Sequence, residues 1–440
     1  MTITKRSLTI TLALLAATAA LWAQVPQTES GGTYQPLSGI QRSEPAGGGA
    51  DGVLHSDFRV SQVFDFYSNS KLSSANNFVS TQAISGDFHY AAVTPRNDIQ
   101  FGYNGGAIFY NNNYQGTRLN RPTPTFHNFD VSDSFQFNKL GFMVGDTFTY
   151  TPDTFGFGGG IPGIGNIGGI NLGGLNPGLL PQSGVLLQDQ PRLSNATFVQ
   201  ANYSLTPRTT LTSSVSYGLS RFPDTGIYNS RQLVFSEGGD YRLTARTSIS
   251  LSYDHSNYSY DHIPENIKVD YGSVALSHQF NASLSVQGSL GPQWISSPGT
   301  PPRHTLGGGA SAIYVKNRTT WQLRYSRSAN SGSFAIFGAL QDLVGLTASR
   351  QLGHTWSTSA SAAYSHLSSL LGHENFDNEQ LGINLNRKFG QRVSGYVNYS
   401  FRRQNSNFTF LQFSDTLLAG NSHTVGLGFN FTPRGIRLKR

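Results

Sequence analysis

From Phe58 to Phe431, apolar and small polar residues alternate with a period of two, over segments of about ten residues. One of the last places Val425, Leu427, Phe429 and Phe431 on one side and Thr424, Gly426, Gly428 and Asn430 on the other. Another sets Val393, Val397, Tyr399 and Phe401 against Ser394, Asn398, Ser400 and Arg402. Leu211, Val215, Tyr217 and Leu219 oppose Thr210, Thr212, Ser214 and Ser216 in the same way. About 18 such segments, from 58–67 to 421–431, predict strands with one apolar and one wettable face. Within 266–280 the parity changes between Tyr271 and Val274, which predicts a bulge at Gly272.

The links between segments alternate in length. Short ones are Thr94-Pro95-Arg96, Asn138-Lys139, Thr206-Pro207, Thr244-Ala245, Asn281, Asn317-Arg318, Gly353 and Gly390. Longer ones lie between them, at 68–82, 111–125, 151–193, 221–230, 296–303, 367–376 and 404–420. Tight turns of this kind restart the next strand antiparallel. Their regular alternation with long links implies hairpins whose two ends face different surroundings.

Composition agrees with strands. Charged residues are 12% of the 440, against about 25% in an ordinary soluble domain, and 49 Gly accompany a 12% aromatic content. Strong helix formers do not dominate, and the aromatic content argues against disorder. The absence of cysteine excludes disulfides and thiolate metal sites. Of 31 Lys and Arg, Lys5, Arg6, Arg434, Arg437, Lys439 and Arg440 lie near the ends, which leaves 25 cations against 24 acids in the body. That balance gives no basic footprint for nucleic acid.

Residues 1–23 read as a cleaved secretory signal peptide, with Lys5 and Arg6 ahead of an apolar run and Leu21-Trp22-Ala23 at the cleavage site. Residues 24–57 read as a flexible Gly/Pro/Ser/Gln-rich segment, 58–431 as the strand-bearing body and 432–440 as a basic tail. Nothing after residue 23 has the 18 or more apolar residues of a transmembrane helix.

With these features the chain resembles bacterial outer-membrane β-barrels of the porin type, over about 58–431 and in pattern alone. The resemblance implies an all-β fold: one antiparallel transmembrane barrel of about 18 strands (16–18), with short periplasmic turns and long extracellular loops. It implies location in the outer membrane of a Gram-negative bacterium, contact with outer-membrane lipids and a possible homo-oligomer. The continuation past Phe431, from Thr432 to Arg440, departs from the usual terminal aromatic. Independently of the resemblance, lipid offers a backbone no hydrogen-bond partner, so a spanning sheet must close. Trp321 and Trp356 beside short turns, and Tyr364, Tyr399 and Phe401 near long links, suit aromatic girdles.

A barrel of 16–18 strands leaves an aqueous channel, so the expected function is passive diffusion of small hydrophilic solutes, without catalysis or cofactor. The alternative is a non-transporting surface, adhesion or structural barrel, and a more remote one is an outer-membrane lipase. Parity places Arg59, Asp87, His89, Gln100, Asp130, Gln200, Asp240, Arg242, Gln287, Arg324, Asn384 and Lys388 on the lumen side. The Gly-rich link 151–193 carries Phe155, Phe157, Ile161, Ile164, Ile167, Ile170, Leu172 and Leu175 at a spacing near three, and is the candidate constriction loop. Asp133 and Asp146 fall on the lipid side, where a carboxylate costs about 1–3 kcal/mol. Either a bulge shifts their parity, which is the expectation, or another protomer covers them. Tyr253-Asp254-His255 and Tyr260-Asp261-His262 with Glu265 form a weak metal-ligand pattern, read by default as solvated loop. No nucleophile elbow or Walker A loop occurs. If 151–193 constricts the pore, deleting 156–188 raises single-channel conductance in a planar bilayer; unchanged conductance removes the constriction.

Overall fold

A computed structural model describes residues 52–68, 77–94, 96–111, 125–151, 192–222, 229–261, 263–333, 336–406 and 420–438. The strands run β1 Gly52–Ser68, β2 Asn77–Val93, β3 Asn97–Asn111, β4 Thr125–Phe137, β5 Leu140–Thr151 and β6 Arg192–Thr206. They continue as β7 Thr209–Arg221, β8 Ser230–Thr244, β9 Thr247–Tyr260, β10 Ile263–Gln279, β11 Leu284–Ser297 and β12 Thr300–Lys316. The last are β13 Thr319–Ser333, β14 Ile336–Leu352, β15 Trp356–Ser369, β16 Asn375–Lys388, β17 Val393–Ser406, β18 Gly420–Phe431 and the short β19 Ile436–Leu438.

Each long strand pairs antiparallel with its neighbours in sequence, and β1 pairs antiparallel with β18 from Phe58↔Phe431 to Ser68↔Asn421. The 18 long strands therefore form a closed barrel without a free edge. Beyond Phe431 the chain returns as β19, which pairs with Gly52–Leu54 of β1. Strand β1 thus begins before residue 58, and part of the expected tail joins the sheet.

At one end of the barrel the connections are tight, and the backbone shows why. Asn317 and Arg318 adopt φ of 48° and 66° between β12 and β13, and Asn138 adopts 48° between β4 and β5. Positive φ at both central residues is the type I′ hairpin geometry, whose twist matches the flanking strands. At the other end the strands run longer than the sequence pattern indicated. Gln62 Nε2, for example, donates to Ser80 Oγ across β1 and β2 at 2.8 Å.

The alternation separates two faces. Outward lie Val60, Ile84, Leu211, Val215, Leu251, Val274, Leu290, Leu323, Ile383, Val397, Leu427 and Phe429, all exposed. Toward the long-connection end this surface ends in a ring of outward tyrosines with their phenols held by polar neighbours. Tyr253, Tyr325 and Tyr364 donate to Asp270, Asp342 and Asp377 at 2.6, 2.8 and 2.8 Å. The same three carboxylates meet His255, Arg327 and His366, each at 2.8 Å. A Tyr-x-His or Tyr-x-Arg on one strand and an Asp on the next thus recur on three strand pairs. At the short-turn end, Arg387 lies over the Trp356 ring at 4.9 Å.

Two expectations fail. The β9–β10 and β10–β11 ladders pass Gly272 without a register change, and the misleading parity comes from Ile267, Val269 and Tyr271, which face inward with Ser273. The ladder between β4 and β5 is also unbroken, with Phe137 opposite Leu140, Asp133 opposite Val144 and Asp146 opposite Val131. No bulge turns these two carboxylates inward.

Closure has a direct test in a chain without cysteine. Val60 and Phe429 are opposed across the β1–β18 seam, where facing Cβ atoms lie about 5 Å apart. Oxidising the Val60→Cys, Phe429→Cys double variant should link the first and last long strands. The linkage is read as a reducible mobility shift of the unfolded chain, and an open sheet would give none.

Candidate functional site: the inner wall

Side chains opposite to the apolar face are mostly Ser, Thr, Asn, Gln and Asp, and many are buried, among them Ser85, Asp130, Gln200, Thr212, Ser214, Ser216, Asp240, Gln293, Ser365 and Asn398. Cross-strand hydrogen bonds satisfy part of this wall. Thr212 Oγ1 donates to Asn202 Oδ1 at 2.8 Å, Gln341 Nε2 to Ser365 Oγ at 2.9 Å and Asn330 Nδ2 to Gln341 Oε1 at 2.9 Å. On β8 and β9, the hydroxyls of Ser250 and Ser236 donate to the directly opposed carboxylates of Asp240 and Asp254. Other buried oxygens, such as Asp240 Oδ2, Gln293 Oε1, Asn378 Oδ1 and Asn430 Oδ1, have no protein partner. Burial without a partner costs about 1–3 kcal/mol, so these groups suit a wall in contact with water.

Burial of small polar groups here has a packing cause. Three inward aromatics stand opposite a glycine on the next strand: Phe126 faces Gly106, Phe198 faces Gly145 and Tyr396 faces Gly428. A Cβ built at any of these glycines would meet the ring, at 2.8 Å from Phe126 Cε1, 2.5 Å from Phe198 Cζ and 2.7 Å from Tyr396 Oη. The rings therefore lie flat along the wall instead of projecting across the lumen. Gly102 does the same for a charge, since a Cβ there would meet the carboxylate of its cross-strand partner Asp130.

The twelve residues selected by parity sit on strands β1, β2, β3, β4, β6, β8, β11, β13 and β16, on the face opposite the apolar one. The pairing gathers several of them. Asp87 is directly opposite Asp57, Arg59 is opposite Ser85 one step away, and both His89 and Asp130 are opposite Gly102. With Asp98, this places four carboxylates, Arg59 and His89 on the inner face of β1–β4. Directly opposed like charges destabilise a sheet, so the Asp57–Asp87 pair departs from what stability alone selects. Arg324, Lys388 and Arg402 belong to β13, β16 and β17. In the 18-strand ring β13 is nine strands from β4, the opposite side.

Sequence reasoning placed Arg402 on the polar face but missed Asp57, Asp98 and Asp254 as members of this wall. Asp57 has the parity of Arg59 but had been placed in the N-terminal segment, and Asp254 had been read as loop. Alternation also divides the supposed metal pattern: Asp254 faces in toward Ser236, whereas His255 faces out toward Asp270. The side chains of His262 and Glu265 lie outside the described residues, and no group of three metal-ligating side chains occurs among the described ones. Phe155, Phe157, Ile161, Ile164, Ile167, Ile170, Leu172 and Leu175 also lie outside the described residues.

No protein family and no curated protein matches the sequence. Among solved structures the chain is similar to the outer membrane protein OpdK from Pseudomonas aeruginosa, with 10% identity, a TM-score of 0.45 and coverage of 87% of this chain and 99% of that one. It is similar also to a BenF-like porin from Pseudomonas fluorescens Pf-5, at 12% identity and a TM-score of 0.45, covering 86% and 99%. OccAB4 of Acinetobacter baumannii gives 10%, 0.44 and coverage of 87% and 98%. The two-faced closed wall rests on its own register and burial.

The glycine–aromatic pairs generate a prediction. Gly145→Val forces the Phe198 ring off the wall, and overpacking of this kind costs about 1–3 kcal/mol. Urea unfolding of the lipid-reconstituted variant should show a correspondingly lower midpoint, while Gly345→Ala, where nothing lies within 4 Å, leaves it near wild type.

Proposed function

We propose that the protein is an outer-membrane channel of a Gram-negative bacterium, through which small hydrophilic solutes diffuse passively. The observation that carries this reading is a polar, partly unpartnered inner wall enclosed by an edgeless ladder with an apolar outside. A closed ladder leaves no backbone group to the lipid, the condition for crossing a bilayer with strands. Ten residues rising about 3.3 Å each and tilted about 40° span roughly 25 Å, the height of an outer-membrane apolar band. In this reading the tight turns are periplasmic, the long connections extracellular, and the tyrosine ring marks the outer interface.

Transport then needs no cofactor and no bond chemistry. A solute entering the lumen exchanges bulk water for wall hydroxyls and amides at little cost. Arg59, Asp87, His89, Gln100, Asp130, Gln200, Asp240, Arg242, Gln287, Arg324, Asn384 and Lys388 line its path. The acidic sector on β1–β4 and Arg324 across from it on β13 set up a field across the pore, which orients dipolar solutes, while Lys388 on β16 and Arg402 on β17 stand on the β1 side. Size selection falls to whichever connections turn inward, 151–193 foremost.

Purified protein in a planar bilayer should give stable conductance steps, and liposome swelling should fall with solute size. A folded barrel that stays silent supports the surface or structural alternative instead. A carboxylate about 4 Å from a passing cation in water attracts it by about 1 kcal/mol, roughly fivefold in population. The Asp87→Asn, Asp130→Asn double variant should therefore shift the reversal potential in a salt gradient toward anions by a change of about that order in permeability ratio.

A further inference from the structure

The eight short turns are built alike at one position. In each, the residue just before the second strand accepts, through its carbonyl oxygen, a backbone N–H from the end of the next strand along the ring, at 2.7–3.4 Å. Lys139 accepts from Ser204 in this way and Arg208 from Arg242, both at 2.8 Å. The position is Arg96, Lys139, Arg208, Arg246, Arg318 or Arg392 in six turns, and Ser283 or Thr355 in the other two. Lys and Arg are 31 of the 440 residues, so six in eight at one structural position lies far above their frequency. All six side chains are exposed.

At two of these turns the amide side is held as well. Thr206 Oγ1 and Thr244 Oγ1 accept the N–H of Arg208 and Arg246, each at 3.1 Å. The main chain is pinned and the charged side chain is left to swing. None of the eight turns contains Asp or Glu. Consecutive turns stand two strands apart, about 10 Å measured across the strands, and salt screens charges over about 8 Å. Neighbouring cations therefore repel one another, with no acid set among them. Ser283 and Thr355 make the same backbone bond, so the turn itself does not require a charge.

The level of the ring identifies what it meets. Phe137 and Leu140 flank Lys139, Leu205 and Leu211 flank Arg208, and Leu243 and Ile249 flank Arg246, all of them exposed on the outer face. The cations thus follow the edge of the apolar band within three residues. A bilayer's headgroup layer is about 5–7 Å deep on each side, and long basic side chains reach into it while their stems stay on apolar surface. A ring that runs round the circumference fits a partner that surrounds the barrel, which a protein docked on one side does not.

We propose that these six residues form a belt that binds the headgroup phosphates of acidic phospholipids, in preference to zwitterionic ones, in the leaflet at the short-turn end. A zwitterionic headgroup brings its own cation and leaves the repulsion within the ring in place, whereas a net negative one relieves it. Each Lys or Arg beside an anionic surface favours it about fivefold.

The inference rests on the membrane reading above, and the experiment separates the two. Replacing Trp22 and Trp294 by Phe leaves Trp321 and Trp356, beside the short turns, as the tryptophans of the chain. This protein is reconstituted into phosphatidylcholine vesicles with a minority of phosphatidylglycerol, and bromine is carried on the chains of one lipid or the other. Quenching of the two tryptophans should show phosphatidylglycerol enriched at the barrel about fivefold over its share of the vesicle. The enrichment should vanish in about 1 M salt, where screening shortens to about 3 Å. It should fall by half or more in the Arg208→Gln, Arg246→Gln, Arg318→Gln variant. It should persist in Arg231→Gln, Lys268→Gln, Arg403→Gln, which removes as many cations from the long-connection end. Equal quenching by the two lipids, or a preference indifferent to salt, overturns the proposal on the unsubstituted turns alone. So does an equal loss in both triple variants. No lipid preference together with binding of soluble dextran sulfate would assign the ring to a periplasmic polyanion and overturn it as well. A barrel that inserts without preference overturns this inference only, whereas a chain that never enters vesicles overturns the membrane reading itself.

Discussion

Every part of this structure depends on the pairing of the backbone. A strand with an unpaired edge has a row of N–H and C=O groups that neither lipid nor a dry interior can satisfy. The register from Phe58↔Phe431 to Ser68↔Asn421 removes the last such row by joining the ends of the sheet. Once the ring is closed, the period of two does the rest. Every second side chain faces the enclosed space, and a one-residue slip would exchange the two faces completely. The long, clean alternation in β7, with Thr212, Ser214 and Ser216 buried and Leu211, Val215 and Tyr217 exposed, specifies that register strongly.

Within the ring the wall is kept thin by pairing large with small. Aromatic rings over Gly106, Gly145 and Gly428 bury neighbouring hydroxyls without filling the centre. This arrangement fits a protein whose interior is to hold something other than itself. The concentration of carboxylates on β1–β4, including two that face one another, is the clearest sign that the inner surface answers to function as well as to stability.

Strand number, order and facing were legible in the sequence because they depend on alternation and turn residues, which are local. Asn317-Arg318 and Asn138-Lys139 marked hairpins that the structure forms with left-handed turn residues. Strand ends were less legible. There the outward face takes on polar residues, as at Gln62 and Ser80, while the inward one holds buried Val63 and Ala83, so the alternation fades while the hydrogen-bond ladder continues. Ile267, Val269 and Tyr271 misled because they face inward, the first two in a buried apolar cluster with Tyr258, Tyr260 and Ile295, and so imitated a parity change before the outward Val274. Asp133 and Asp146 misled for a deeper reason. A rule that bars charge from the outer face presumes lipid there, and only the register could show that the rule, and not the parity, gives way.

The seam between β1 and β18 has a consequence for persistence. In an open sheet the outermost strand can peel away by breaking one ladder, but a ring offers no such starting point. Detaching any hairpin here means rupturing two ladders together, and the ladder at the seam is flanked further by β19 against Gly52–Leu54. Loss of structure is thereby governed by a high activation barrier, so survival of the folded state becomes a matter of rate more than of equilibrium.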